Sequence, residues 1–281
     1  MTHFISVDAL AEQQETRQDL VILDGTWHLP TAGRDPRAEY LAGHIPGAQF
    51  FDIDGVSDTD SDLPHMLPDE VTFGQAASAL GIWNDSPIVV YDSYGLFSAA
   101  RVWWSFRVMG HKDVKILDGG LPAWTAAGNE TRSGMEVADV ASYTAHIQAR
   151  RIAGRDDVLS ASTHRSMAIL DARPAQRFAG TAPEPRAGMR AGHMPGATNV
   201  FFKSLLTEEG RMKDKTALKD TFKAAGFTPG DPAITSCGSG VTAAILALAL
   251  AELGQDDIRL YDGSWAEWGS DPDLPIETTE S

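Results

Sequence analysis

The chain has 281 residues, 43% of them hydrophobic and 22% charged, with a net charge of −16. Such a composition fits a soluble globular protein, either one large α/β domain or two domains of about 140 residues, and the negative field excludes nucleic acid or an anionic membrane as the main partner. One cysteine cannot close an intramolecular disulfide, and no Cys/His cluster has zinc-like spacing, so neither a metal nor an organic cofactor is expected.

The start, MTHFISVDALAEQQE, has no basic stretch and no long apolar core, so no signal peptide is expected and the cytoplasm is the expected location. A β-type run, VILDGTW (21–27), ends in Asp24 and leads to a Gly-Pro turn, GHIPGA (43–48). A helix is expected over FGQAASALGI (73–82), then a strand and a Gly-containing loop, PIVVYDSYGLFSAA (87–100), and an apolar helix ending near Gly110. The strand VKILDGG (114–120) runs on to Trp124.

The same series then recurs. AILDARP (168–174) matches VILDGTW, with Asp171 against Asp24, and GHMPGA (192–197) matches GHIPGA. A helix over LKDTFKAAGF (218–227) precedes PAITSCGSGVTAA (232–244), which matches 87–100 and sets Cys237 opposite Asp92. YDGSWAEW (261–268) matches LDGGLPAW (117–124). Four blocks in one order at nearly constant spacing mean a duplicated domain. Strands alternating with helices imply a parallel sheet covered on both faces. The expected layout is a first domain over 17–135, a linker and lead-in helix over 136–162, and a second domain over 163–277. The acidic end, SDPDLPIETTE (270–280), is expected to be a loose tail. The longest apolar stretch, 241–250, is far short of the roughly 20 residues of a membrane span.

The lone thiol sits where chemistry is easiest to build. A strand ends in Cys237, passes through Gly-Ser-Gly-Val-Thr, and enters the apolar helix AAILALALAEL. Glycines let successive N–H groups turn inward around one point, and the helix adds its positive end. Such a cradle favours a thiolate and would hold an anion carried on the sulfur. A free cysteine can equally be a small buried hydrophobe. The first copy keeps the architecture but has Asp92 in place of the thiol, which points to one active and one supporting copy. A cysteine phosphatase needs an arginine six residues after the thiol to clamp phosphate, and position 243 is Ala. His44 and His193, in the two GHxPGA turns, and Trp124 and Trp268 occur in both copies, so structural roles are expected for them.

These residues resemble the rhodanese superfamily in its tandem form: the GHxPGA turns, the DGG-x-x-x-W and DGS-x-x-x-W ends, and the Asp-for-Cys exchange in the first copy. The resemblance covers about 17–135 and 163–277 and implies an α/β fold of two tandem rhodanese-like domains, each a parallel sheet flanked by helices on both faces. The loop CGSGVTA is similar to that of 3-mercaptopyruvate sulfurtransferases, whereas thiosulfate sulfurtransferases carry basic residues at the two positions after the cysteine. What this implies is a Cys237 persulfide, pyruvate as the product, and a thiol, thioredoxin or cyanide as sulfur acceptor. It also implies carboxylate binding by Arg177 and Arg186, contacts from the backbone of Gly238, Gly240, Val241 and Thr242, and a proton relay of Ser239, His65 and Asp54. The alternatives are a thiosulfate sulfurtransferase and a persulfide carrier with no turnover of its own.

Overall fold

The computed structural model describes residues 2–256 and 258–279. It has two compact units. One is formed by residues up to Thr59, Leu67–Gln148 and Glu208–Met212; the other comprises Asp60–Met66, Ala149–Thr207 and the chain from Lys213 onward. In the first unit the elements are Phe4–Ile5 (β1), Val7–Thr16 (α1), Val21–Asp24 (β2), Pro36–Ala42 (α2), Gln49–Phe50 (β3), Glu70–Ala79 (α3), Ile88–Tyr91 (β4), Ala99–Val108 (α4), Val114–Leu117 (β5) and Gly120–Ala126 (α5). The second unit repeats them as Ile152–Ala153 (β6), Arg155–His164 (α6), Ala168–Asp171 (β7), Ala175–Ala179 (α7), Thr198–Asn199 (β8), Lys215–Ala224 (α8), Ala233–Ser236 (β9), Ala243–Glu252 (α9), Arg259–Tyr261 (β10) and Ser264–Trp268 (α10). Both sheets are five-stranded and parallel, in the orders β1-β5-β4-β2-β3 and β6-β10-β9-β7-β8.

Local chemistry explains these elements. Parallel strands covered on both faces read as continuous apolar runs, and β4 (IVVY) and β9 (AITS) are buried along their whole length. Side chains of Ser6, Asp35, Asp69 and Asp214 cap α1, α2, α3 and α8 by accepting N–H bonds from the first turn. Every residue of α9 is buried, and in α4 every residue but Arg107 is, as helices apolar nearly all round require.

The paired turns are built alike. His44 Nδ1 donates to Tyr40 O at 2.8 Å and its ring stacks on Tyr40; His193 Nδ1 donates to Phe178 O at 2.8 Å and its ring stacks on Phe178. Trp124 Nε1 donates to Glu130 O, and Trp268 Nε1 donates to Pro275 O, both at 2.8 Å. Identical bonding in a thiol-bearing copy and a thiol-free one marks all four as structural.

One expectation fails. The stretch 270–279 is tied down: His193 and Glu277 exchange backbone bonds of 2.8 and 2.9 Å, Arg190 Nη1 donates to Leu274 O, and Leu274 is buried. Glu280 lies outside the described residues. The acidic composition hid this, because the bonds run through backbone groups that every residue has. Likewise 141–148 straps the first unit, with Tyr143 N donating to Ser78 Oγ and Thr144 and Asn84 bonding reciprocally. Among the described residues no helix is long and apolar enough to cross a membrane.

Candidate active site

Strand order reverses between β7 and β9: the chain places β8 outside β7, then returns to lay β9 on its other side. Loops at the carboxyl ends of such strands diverge and leave room for a ligand. Asp171 and Ser236 are register partners there, and Cys237 follows Ser236 directly. Cys237 is 2% exposed.

Gly240 adopts φ +78, a left-handed conformation that glycine takes without steric cost. Among the described residues, no hydrogen-bond acceptor engages the amides of Gly238, Ser239, Gly240, Val241 or Thr242. The first unit has the same loop with an anion in place. Asp92 is fully buried; its Oδ1 accepts from the amide of Tyr94 at 2.9 Å, and its Oδ2 accepts from those of Phe97 and Ala99 at 2.7 and 2.9 Å. Burial pushes this carboxyl above its ordinary value, against the pull of those N–H bonds. The fold therefore makes an anion nest after its central strand, and in the second unit Cys237 stands at the position of Asp92.

The block DGSWAEW fixes that cysteine. Cys237 N donates to Ser264 Oγ at 3.3 Å, while Trp265 N and Ala266 N donate to the carbonyls of Cys237 and Gly238 at 3.0 and 2.9 Å. Ser264 holds φ +50. Its counterpart Gly120 holds φ +55, where a Cβ would collide with Asp92 O.

Beside the loop lies a cluster of four charges. A Cβ added at Gly238 would meet Arg177 Nη2 at 3.1 Å, so the guanidinium lies against the residue after the thiol. Arg177 donates to Glu184 Oε2 through Nε, at 3.1 Å, and through Nη2. Glu184 Oε1 accepts from Arg173 Nη1 at 2.9 Å. Arg173 in turn binds both oxygens of Asp171, donates to Gly192 O and lies over the Trp265 ring. Burial opposes the charge of Arg173, but Asp171 and Glu184 more than offset it and hold its pKa above the ordinary value.

The structure thus brings Cys237, Gly238 and Arg177 together. Arg186 lies two residues beyond Glu184 on the same loop and is half-buried. Ser239 and His65 are both buried, and His65, at φ +61, lies in the segment Asp60–Met66 of the second unit. Asp54 belongs to the first unit, where its Oδ2 accepts from Trp27 Nε1 at 3.0 Å. Val241 is buried and Thr242 is the N-cap residue of α9. Sequence reasoning missed Arg173, Glu184 and Ser264. The signals for Arg173 and Ser264 were the repeat mismatches, DAR against DGT and DGS against DGG; Glu184 had none.

A sequence profile described as rhodanese-like domain matches residues 6–127 and 155–271. Over 277 residues the chain is 43% identical to 3-mercaptopyruvate sulfurtransferase of Escherichia coli (strain K12), covering 98% of each chain. An Arabidopsis thaliana protein named thiosulfate/3-mercaptopyruvate sulfurtransferase 1, mitochondrial, is 43% identical over 285 residues, 94% of this chain and 75% of that one. Among solved structures, the 3-mercaptopyruvate sulfotransferase SseA of Escherichia coli matches with a TM-score of 0.85 at 40% identity, covering 94% of this chain and 99% of that one.

Proposed function

The chain belongs to the rhodanese-like family, with two copies of its domain, and from that premise we propose that it is a 3-mercaptopyruvate sulfurtransferase carrying sulfur on Cys237. The observation that supports this most is the pair of nests. In Asp92 two heavy atoms beyond Cβ bring a negative oxygen to the inward N–H groups. A persulfide on Cys237 likewise has two heavy atoms beyond Cβ, and its outer sulfur would take the oxygen's place among the amides of the 238–242 loop.

The reaction follows from the groups at hand. The Cys237 thiolate attacks the sulfur of 3-mercaptopyruvate. A sulfur–sulfur bond forms, the carbon–sulfur bond breaks, and its electron pair leaves on the enolate of pyruvate. The enolate takes up a proton, for which we assign Ser239 backed by His65 and Asp54. Arg177 and Arg186 hold the donor's carboxylate, and the backbone N–H groups of Gly238, Gly240, Val241 and Thr242 hold the persulfide. The outer sulfur then passes to an acceptor thiolate, a small thiol or thioredoxin in our reading, or to cyanide in an assay, and the Cys237 thiolate returns. A reducing compartment suits a lone working thiol, and we assign the chain to the cytoplasm on that ground.

Thiosulfate is the second donor to weigh, because the Arabidopsis relative carries both donors in its name. Gly238 and Ser239 offer a dianion no cation, which favours the mercapto acid. Cys237→Ser tests the carrier directly. Pyruvate release from 3-mercaptopyruvate with cyanide should fall to the uncatalysed level while circular dichroism stays that of the wild type. Turnover near wild type in that variant ends the persulfide mechanism.

A further inference from the structure

We propose that Glu184 sets donor choice: by neutralising Arg177 beside Cys237, it disfavours dianionic donors and leaves a site matched to a single carboxylate. This rests on the sulfurtransferase reading above, with Arg177 among the donor-binding groups.

Glu184 is an expensive residue to keep where it is. Its side chain is 1% exposed, and a carboxylate at that depth is tolerated only when paired. Arg173 gives it Nη1 alone. That guanidinium already has both oxygens of Asp171, the carbonyl of Gly192 and the face of Trp265. The second carboxylate is needed by Arg177, which gives it Nε and Nη2 and keeps Nη1 for another partner. Two guanidiniums and two carboxylates then sum to no net charge, against the loop that holds the thiol. The loop residues Gly238, Ser239, Gly240, Val241 and Thr242 add no cation.

Electrostatic attraction scales with the product of charges, so a dianion loses about twice what a monoanion loses when a site's positive charge is cancelled. Arg177, held through Nε and Nη2 on the single oxygen Oε2 of Glu184, still offers a directional N–H to one carboxylate oxygen. Glu184 is thus a positioning residue acting through Arg177, and it tunes selectivity by charge.

The test compares two donors of matched sulfur chemistry: thiosulfate, a dianion, and methanethiosulfonate, a monoanion. In each the Cys237 thiolate attacks the outer sulfur and the sulfur–sulfur bond breaks; the electron pair leaves on sulfite or on methanesulfinate. With cyanide as acceptor, the ratio of kcat/KM for thiosulfate to that for methanethiosulfonate should rise about tenfold in Glu184→Gln. The change should lie mainly in KM and shrink in about 0.5 M salt, where charges are screened. Glu184→Asp keeps the charge and should hold the ratio within about twofold of wild type. A merely structural role would depress both donors alike, independent of salt. An unchanged ratio in a folded Gln variant overturns the proposal. Failure of the wild type to release pyruvate from 3-mercaptopyruvate would instead count against the donor assigned above, and the two thiosulfur donors would still report on Glu184.

Discussion

Ser264 occupies a left-handed backbone conformation that side chains other than glycine rarely adopt, and its hydroxyl serves as acceptor for the amide of Cys237. That strain costs of order 1 kcal/mol or more, and it persists because the hydroxyl is also bound, donating to Tyr261 O at 2.8 Å. Ser264→Ala removes both hydrogen bonds and keeps the strain, so it should destabilise the second unit by about 2 kcal/mol. Ser264→Gly removes the same bonds but relaxes the backbone, and should cost about 1 kcal/mol. Urea midpoints of the two variants check the order. A glycine variant less stable than the alanine one would mean that the conformation carries no strain. None of this was legible beforehand. The hydroxyl's partner is 27 residues away, and a lone serine in DGSW gives no hint of its φ. Glu184 was hidden for a related reason: in PEPRAG it reads as a loop charge, and only the fold brings Arg173 and Arg177 to its two oxygens.

At the scale of the element, the loop after the central strand is the unit that the duplication preserved. Its anion-holding geometry is visible in the first copy, where the Asp92 carboxylate satisfies three N–H groups, that of Ala99 buried and those of Tyr94 and Phe97 partly so. Asp92→Ala leaves those donors without an acceptor and should destabilise the first unit by about 2–4 kcal/mol, since each orphaned buried donor costs about 1–3 kcal/mol and water recovers part of it. Denaturant unfolding measures this. A loss below about 0.5 kcal/mol would mean that the nest does not need an anion. The loop itself could be read from sequence, because a strand, two closely spaced glycines and a fully apolar helix leave few alternatives. The strands β1 and β6 could not. Each has two residues, too few to show any periodicity, and each exists only because a neighbour in the sheet supplies its hydrogen bonds.

For the molecule as a whole, the repeat was the strongest signal in the chain. The two sheets have the same strand order, and the paired turns bond alike down to His44 and His193. Periodicity and turn residues repeat because the packing constraints repeat. What differs between copies is where chemistry enters: Asp92 against Cys237, Gly120 against Ser264, and the Arg173–Glu184–Arg177 cluster of the second unit alone. The assignment of the segment Asp60–Met66, with His65, to the second unit was beyond any local pattern, since it depends on contacts distant in sequence. The central claim is that Cys237 takes sulfur from 3-mercaptopyruvate and holds it as a persulfide. The most direct test offers 3-mercaptopyruvate and thiosulfate separately, with no acceptor, and records intact mass together with released pyruvate and sulfite. The account predicts one added sulfur atom per chain with one pyruvate from the mercapto acid, and no gain in Cys237→Ser. Loading from thiosulfate alone, or from neither donor, would contradict it.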